Sequence, residues 1–234
     1  MATTMAAAAL VIISTISARE ALHDIIPDFE KESGHKVDVT YGPGPDLKKR
    51  IEEGMAGDVF VGPEVFSGAL IEAGRLDGAT RTPFASSSTA LAVKAGVPTP
   101  DISTPDKLKS VLLAAKGIAY SAGVSGIYFV NAMKKLGIAD EIAAKRVAAQ
   151  PGELMGAVVA RGEADIAIQQ PSELIPVEGI AIVGPLPDSL QEPMVYGATA
   201  FSGSKQAAGN KAFVDFLKSE AARKVLRHHG LDPM

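Results

Sequence analysis

The sequence predicts an α/β fold in two similar lobes. Apolar strand-like runs alternate with runs whose apolar residues recur at i, i+3, i+4 and i+7. Four of the strand-like runs end in a small or polar loop that opens a helix. The first 73 residues read β-α-β-α-β-α, an order that implies mostly parallel strands joined by right-handed crossovers.

Taken in order, Leu10–Ile13 reads as a buried strand and 14–17 as a hydroxyl-rich loop. A helix follows from about Ala18 to Ser33, with Leu22, Ile25, Ile26 and Phe29 on one face. Pro27 is a kink point inside it, and Gly34 stops it. Val37–Tyr41 alternates as a strand. Gly42-Pro43-Gly44-Pro45 is a turn, with Pro45 suited to a helix first position and Asp46 to its first turn. That helix runs to Glu53. Asp58–Gly62 is a third strand and Glu64–Ala73 a helix. Thr and Ser then crowd around Phe84 over 77–88, and the chain crosses between the lobes near 84–88 and again near 192–197.

In the second lobe, strand Thr89–Lys94 precedes a Pro-rich loop and a helix over 106–115. Strand Gly117–Tyr120 feeds loop 121–126 and a helix from about Ile127 to Leu136. Val147–Ala149 is a short strand, and Pro151-Gly152-Glu153 opens a helix to about Arg161. Asp165–Gln169, Ile180–Leu186 and Val195–Phe201 are strands, and helices near 206–217 and 219–228 close the chain. The expected division is 1–84 plus 196–234 for lobe 1 and 85–195 for lobe 2.

Composition narrows the function. The 234 residues carry a net charge of −4 and no basic block, which argues against nucleic acid as a partner. Cys is absent, excluding disulfides, thiolate metal sites and Cys nucleophiles. Trp is absent and aromatics are few, which disfavours a sugar-stacking site. No stretch approaches the roughly 20 apolar residues of a membrane helix. The run from Met5 to Ile13 is too short to span, and no Lys or Arg precedes it as in an export signal. Either a signal has been removed or the protein is cytoplasmic. No His/Asp/Glu spacing suggests a metal, and no dinucleotide or P-loop fingerprint is complete, so no cofactor is expected.

The loops carry the chemistry. A strand that feeds a loop at a helix start presents unpaired N–H groups and a partial positive charge, which suits an anion. The four such loops are 14–17, 42–46, 121–126 and 150–153. In open α/β sheets ligands sit beyond the carboxyl ends of the strands. Two facing lobes would aim the four helix starts into one cleft. Ser14, Thr15 and Ser17 add hydroxyls, although Ser17 also reads as a plain N-cap. Arg19 is placed either to clamp a carboxylate or to lie solvated on the first turn. Of Gln169 and Gln170, alternation sends one toward the cleft. Glu153 stands at a helix start, where a carboxylate is stabilised. His228 and His229 end the last helix and read as surface residues.

The chain resembles the molybdate-binding family of type II periplasmic solute-binding proteins. The resemblance is carried by Ser17–Leu22, Leu47–Val61, Gly126-Ile127-Tyr128, Arg161–Ile168 and the end of the chain from Ala207. Its most specific segments are Ile51–Gly54 with Asp58–Phe60, and Arg161–Asp165. The resemblance implies two Rossmann-like lobes, a central cleft, a hinge of two crossings and closure over a bound oxyanion. It places ligand contacts at Ser17 with Ser14 nearby, at Gly44-Pro45, at Ser125, at Gly152 beside Glu153, and at Gln170. Gly44-Pro45 lacks the family's serine hydroxyl, and Gln170 stands where the family has a tyrosine. The site therefore looks rebuilt for another ligand, as in the branch that includes aconitate isomerase-like proteins.

The expected function is capture of a small anion, an organic carboxylate or oxyanion, for an ABC transporter permease. An isomerase acting on an unsaturated polycarboxylate in the same cleft is the enzyme alternative, with Glu153 as candidate base. A ligand-sensing module with a protein partner is a third reading.

Overall fold

The computed structural model describes residues 9–150 and 152–234. The first part of the Met5–Ile13 run and Pro151, both used above, lie outside the described residues. The elements in chain order are β1 (Leu10–Thr15), α1 (Arg19–Ser33), β2 (Val37–Gly42), α2 (Gly44–Glu52), β3 (Val59–Pro63), α3 (Glu64–Glu72) and β4 (Thr82–Ser87). Then come β5 (Ala90–Lys94), α4 (Pro105–Ala114), β6 (Ile118–Tyr120), α5 (Val124–Leu136), α6 (Ala139–Ala143), β7 (Arg146–Val147) and α7 (Met155–Ala160). The chain ends with β8 (Ile166–Gln169), α8 (Pro171–Leu174), β9 (Ile180–Pro185), β10 (Met194–Ala200), α9 (Ala207–Leu217), α10 (Glu220–His228) and β11 (Asp232–Pro233).

The described residues up to Ser86 join Val195–Met234 in one compact unit, and Ser87–Met194 form the other. The first unit holds a six-stranded sheet in the order β11-β4-β10-β3-β1-β2. β1 runs parallel to β2 and β3, and β10 is antiparallel to β3. Ile13 on one face of β1 packs with Leu47, Ile51, Phe60 and Leu70 under α2 and α3. Phe29 of α1 meets Phe213 of α9 edge-on at 5.2 Å. Each such fully buried apolar side chain stabilises the fold by about 1.5–3 kcal/mol.

The second unit holds a five-stranded sheet in the order β7-β6-β8-β5-β9. β6 is parallel to β7 and β8, whereas β5 is antiparallel to β8 and β9. Ile118, Tyr120, Phe129, Ile166 and Ile168 form part of the core between this sheet and α5.

Several expectations are corrected. The three strands of the first 73 residues are parallel as expected, but both sheets are mixed, because β10 pairs antiparallel with β3 and β5 pairs antiparallel with β8 and β9. β1 extends through Ser14 and Thr15, which pair in register with Tyr41 and Gly42, so these two hydroxyls belong to a strand and not a loop. α5 begins at Val124, three residues early, which draws Ser125 and Gly126 into its first turn. α7 begins at Met155, later than Pro151-Gly152-Glu153 suggested. The short strand is Arg146–Val147 rather than 147–149. The Thr/Ser-rich stretch at 77–88 contains β4, a strand whose polar composition hides it.

Candidate functional site

In the first unit, parallel β1 and β2 end side by side, so the segments that follow them leave the sheet at the same edge. Ser14, Thr15 and Ser17 are all buried there. The Ser14 hydroxyl donates to the Thr15 carbonyl at 3.2 Å. The Thr15 and Ser17 hydroxyls lie 3.0 Å apart. Two hydroxyls sharing one hydrogen bond leave one O–H without a target in that pair.

Ser17 is not a cap. It lies inside a 3-10 turn, Ile16–Ala18, and the residue before α1 is Ala18, with no side-chain bond to the helix. The first-turn amides of α1 are therefore not capped by a side chain at that position. Arg19 opens α1, is part-exposed, and its Nε donates to Glu20 Oε1 at 2.8 Å.

Tyr41 escaped the reading of the sequence. It is in register with Ser14, so both side chains emerge on the same sheet face. Burial, reinforced by Glu20 and partly offset by Arg19, pushes its phenol up to about 12. It stays protonated at neutral pH and is a hydrogen-bond donor. Its place at the end of the alternating Val37-Val39-Tyr41 face was the available signal.

Gly44 and Pro45 open α2 after Pro43, which makes no side-chain cap. A Cβ on Gly44 would meet the Phe66 ring at 2.2 Å, so any side chain there requires that ring to move. Pro45 lacks an N–H, which removes one first-turn donor.

In the second unit, β7, β6 and β8 lie side by side and parallel, so the segments after them also leave at one edge. Ser125 is buried in the first turn of α5, its hydroxyl 3.4 Å from that of Ser121. The Ser121 hydroxyl also accepts the Gly123 N–H at 3.1 Å. A Cβ on Gly126 would sit 1.7 Å from the Ser121 carbonyl oxygen, so only glycine lets the loop fold down on the helix.

Gln169 and Gln170 are both buried but have different tasks. The Gln169 side-chain oxygen accepts the Met155 N–H at 2.9 Å, occupying the start of α7. The Gln170 side-chain amide donates to the Met194 sulfur at 3.2 Å. Gly152 is exposed with φ +79°, a turn position that favours glycine.

Glu153 lies two residues before α7, outside the helix. It is ion-paired with Arg161, and its carboxylate accepts the Gln150 N–H at 3.0 Å. The Arg161 hydrogen bond, followed by that from Gln150, holds it below the usual carboxylate range. Arg161 therefore performs the stabilisation expected from the helix start. Among the described residues no cluster of three acidic or imidazole side chains is placed to hold a metal, and no helix is long and apolar enough to cross a membrane.

A family model described as bacterial extracellular solute-binding protein matches residues 10–232. An aconitate isomerase from Pseudomonas sp is 31% identical over 230 residues, covering 96% of this chain and 88% of that protein. The molybdate-binding protein ModA of Escherichia coli strain K12 is 27% identical over 228 residues, covering 94% and 88%. The solved periplasmic molybdate-binding protein of Azotobacter vinelandii aligns with a TM-score of 0.78 at 21% identity, covering 95% of this chain and 98% of that one. That likeness shows the fold.

Proposed function

The chain belongs to the bacterial extracellular solute-binding protein family, and from that premise we propose that it captures a small anion for delivery to an ABC transporter permease. The observation that carries this reading is the buried Ser14, Thr15 and Ser17 group, where the Thr15–Ser17 pair has one more proton than it uses. Tyr41 and Arg19 are further donors of the first unit. In the second unit, Ser125, Gln170 and the first-turn amides of α5 are donors of the same kind. Apart from Arg19, these donors are neutral and stabilise charge without a fixed counter-ion, which suits reversible capture of a dianion.

A thermal-shift screen of inorganic oxyanions and organic acids tests it. At least one anion should raise the melting temperature, and Ser17→Ala and Ser125→Ala should each shrink that rise. If no anion stabilises the wild type, the reading is wrong.

A second reading is favoured by the 31% identity to an aconitate isomerase. In it, the same donors bind an unsaturated polycarboxylate and Glu153 is the candidate base. Its pairing with Arg161 keeps Glu153 ionised but makes it a weak base, so the pair has to open for proton transfer. Following cis- and trans-aconitate by NMR decides the matter. Interconversion abolished by Glu153→Gln supports the isomerase, and no interconversion by the wild type removes it.

A further inference from the structure

The second unit has a pocket of about 360 Å³ beside the start of α5, next to Ser125. Its lining includes Ser121, Asn131, Lys134 and Arg146, and no acidic residue. Gly126, Val130 and Lys134 form one stripe along α5 at four-residue spacing, so the pocket runs down the flank of that helix.

Arg146 is held in place. Its guanidinium sits 5.0 Å over the centre of the Tyr120 ring, and its Nε donates to the Tyr120 carbonyl at 3.3 Å. These contacts use the guanidinium face and Nε, and a guanidinium can match a carboxylate bidentately. Ser121 links pocket and site, because its hydroxyl is 3.4 Å from that of Ser125.

Resting on the anion-capture reading, we infer that this pocket receives a second carboxylate of the ligand, and that the preferred ligand is an organic di- or tricarboxylate. A compact tetrahedral oxyanion held at Ser125 has no group to extend into it. A polycarboxylate has one, and Arg146 and Lys134 supply positive charge beside the neutral donors of the second unit.

Calorimetric titration with tricarballylate, a saturated tricarboxylate that no allylic shift can consume, is the test, with sulfate as the compact probe. The wild type should bind tricarballylate more tightly than sulfate. Arg146→Gln should weaken tricarballylate at least tenfold, corresponding to loss of a charge-assisted pair, and leave sulfate unchanged. Lys134→Gln should act in the same direction. Both residues are exposed, so the melting temperature of each ligand-free variant should stay close to wild type. Tricarballylate binding that is indifferent to both substitutions, or an equal loss for sulfate, overturns the pocket assignment and leaves anion capture standing. A wild type that binds neither probe nor any other anion overturns anion capture itself.

Discussion

The side-chain oxygen of Gln169 accepts the backbone N–H of Met155 at 2.9 Å in a buried setting. The end of β8 thereby satisfies the start of α7, and this helix start has one donor fewer for a ligand. Gln169→Ala leaves the Met155 amide buried and unpaired, which costs about 1–3 kcal/mol. The melting temperature should fall by about 2–10 °C, while the ligand-induced rise stays intact. Gln170→Ala should instead shrink the ligand-induced rise. The reverse pattern in differential scanning fluorimetry would exchange the two roles.

Ser17 is not a cap, so its replacement by glycine or by alanine tests the donor role directly. A hydroxyl that donates to an anion is lost equally in both. Ser17→Gly and Ser17→Ala should therefore weaken anion binding alike, by about tenfold or more. Wild-type affinity in Ser17→Gly, measured by calorimetry, contradicts the donor role.

The interior strands were legible because their apolar runs are continuous or alternate, as at Leu10–Ile13 and Val37–Tyr41. Their ends were not. Ser14 and Thr15 look like loop residues until β2 pairs with them. β4 and β11 are polar or proline-bearing, and pairing of Asp232 with Ser86 and Pro233 with Ala85 makes them strands. The hydroxyl cluster was legible as a local sequence, whereas the task of Gln169 depends on where α7 begins.

The two segments most specific to the family resemblance serve the fold. Asp58 is buried and accepts the Val11 N–H at 2.9 Å and the Ser204 hydroxyl at 2.6 Å. Asp165 accepts the Lys116 N–H at 2.6 Å. Each aspartate immediately precedes a strand and ties it to the beginning of the next one, β3 to β1 and β8 to β6. Such motifs identify a fold well and a ligand poorly.

Molybdate should bind weakly. Pro45 contributes neither the family's hydroxyl nor an N–H. Each lost hydrogen bond to a charged ligand is worth about 1.5–3 kcal/mol, so the two lower affinity by about a hundredfold or more. A submicromolar dissociation constant for molybdate or tungstate by calorimetry would show that other donors have replaced both.

Asp24 of α1 and His229, just past α10, join the two ends of the first unit, with Oδ2 and Nε2 2.8 Å apart. Only 14% of the His229 side chain is exposed, which corrects its reading as a surface residue. His229→Ala should accordingly lower stability rather than act as a silent control. Hydrogen bonding to His229, then to His23, lowers the Asp24 carboxyl below its ordinary value. A carboxyl lowered by folding stabilises the fold when ionised. That contribution is complete above the ordinary aspartate value near 4 and is lost as the pH falls through the lowered one. Asp24 is half exposed, so the pair is worth at most about 1 kcal/mol. Asp24→Asn should melt about 1–3 °C below wild type at pH 6, and the gap should close as the pH drops below about 4. Melting curves from pH 6 to pH 3 check this. A gap that stays constant, or widens toward acid, would mean that ionised Asp24 does not hold α1 against the end of α10.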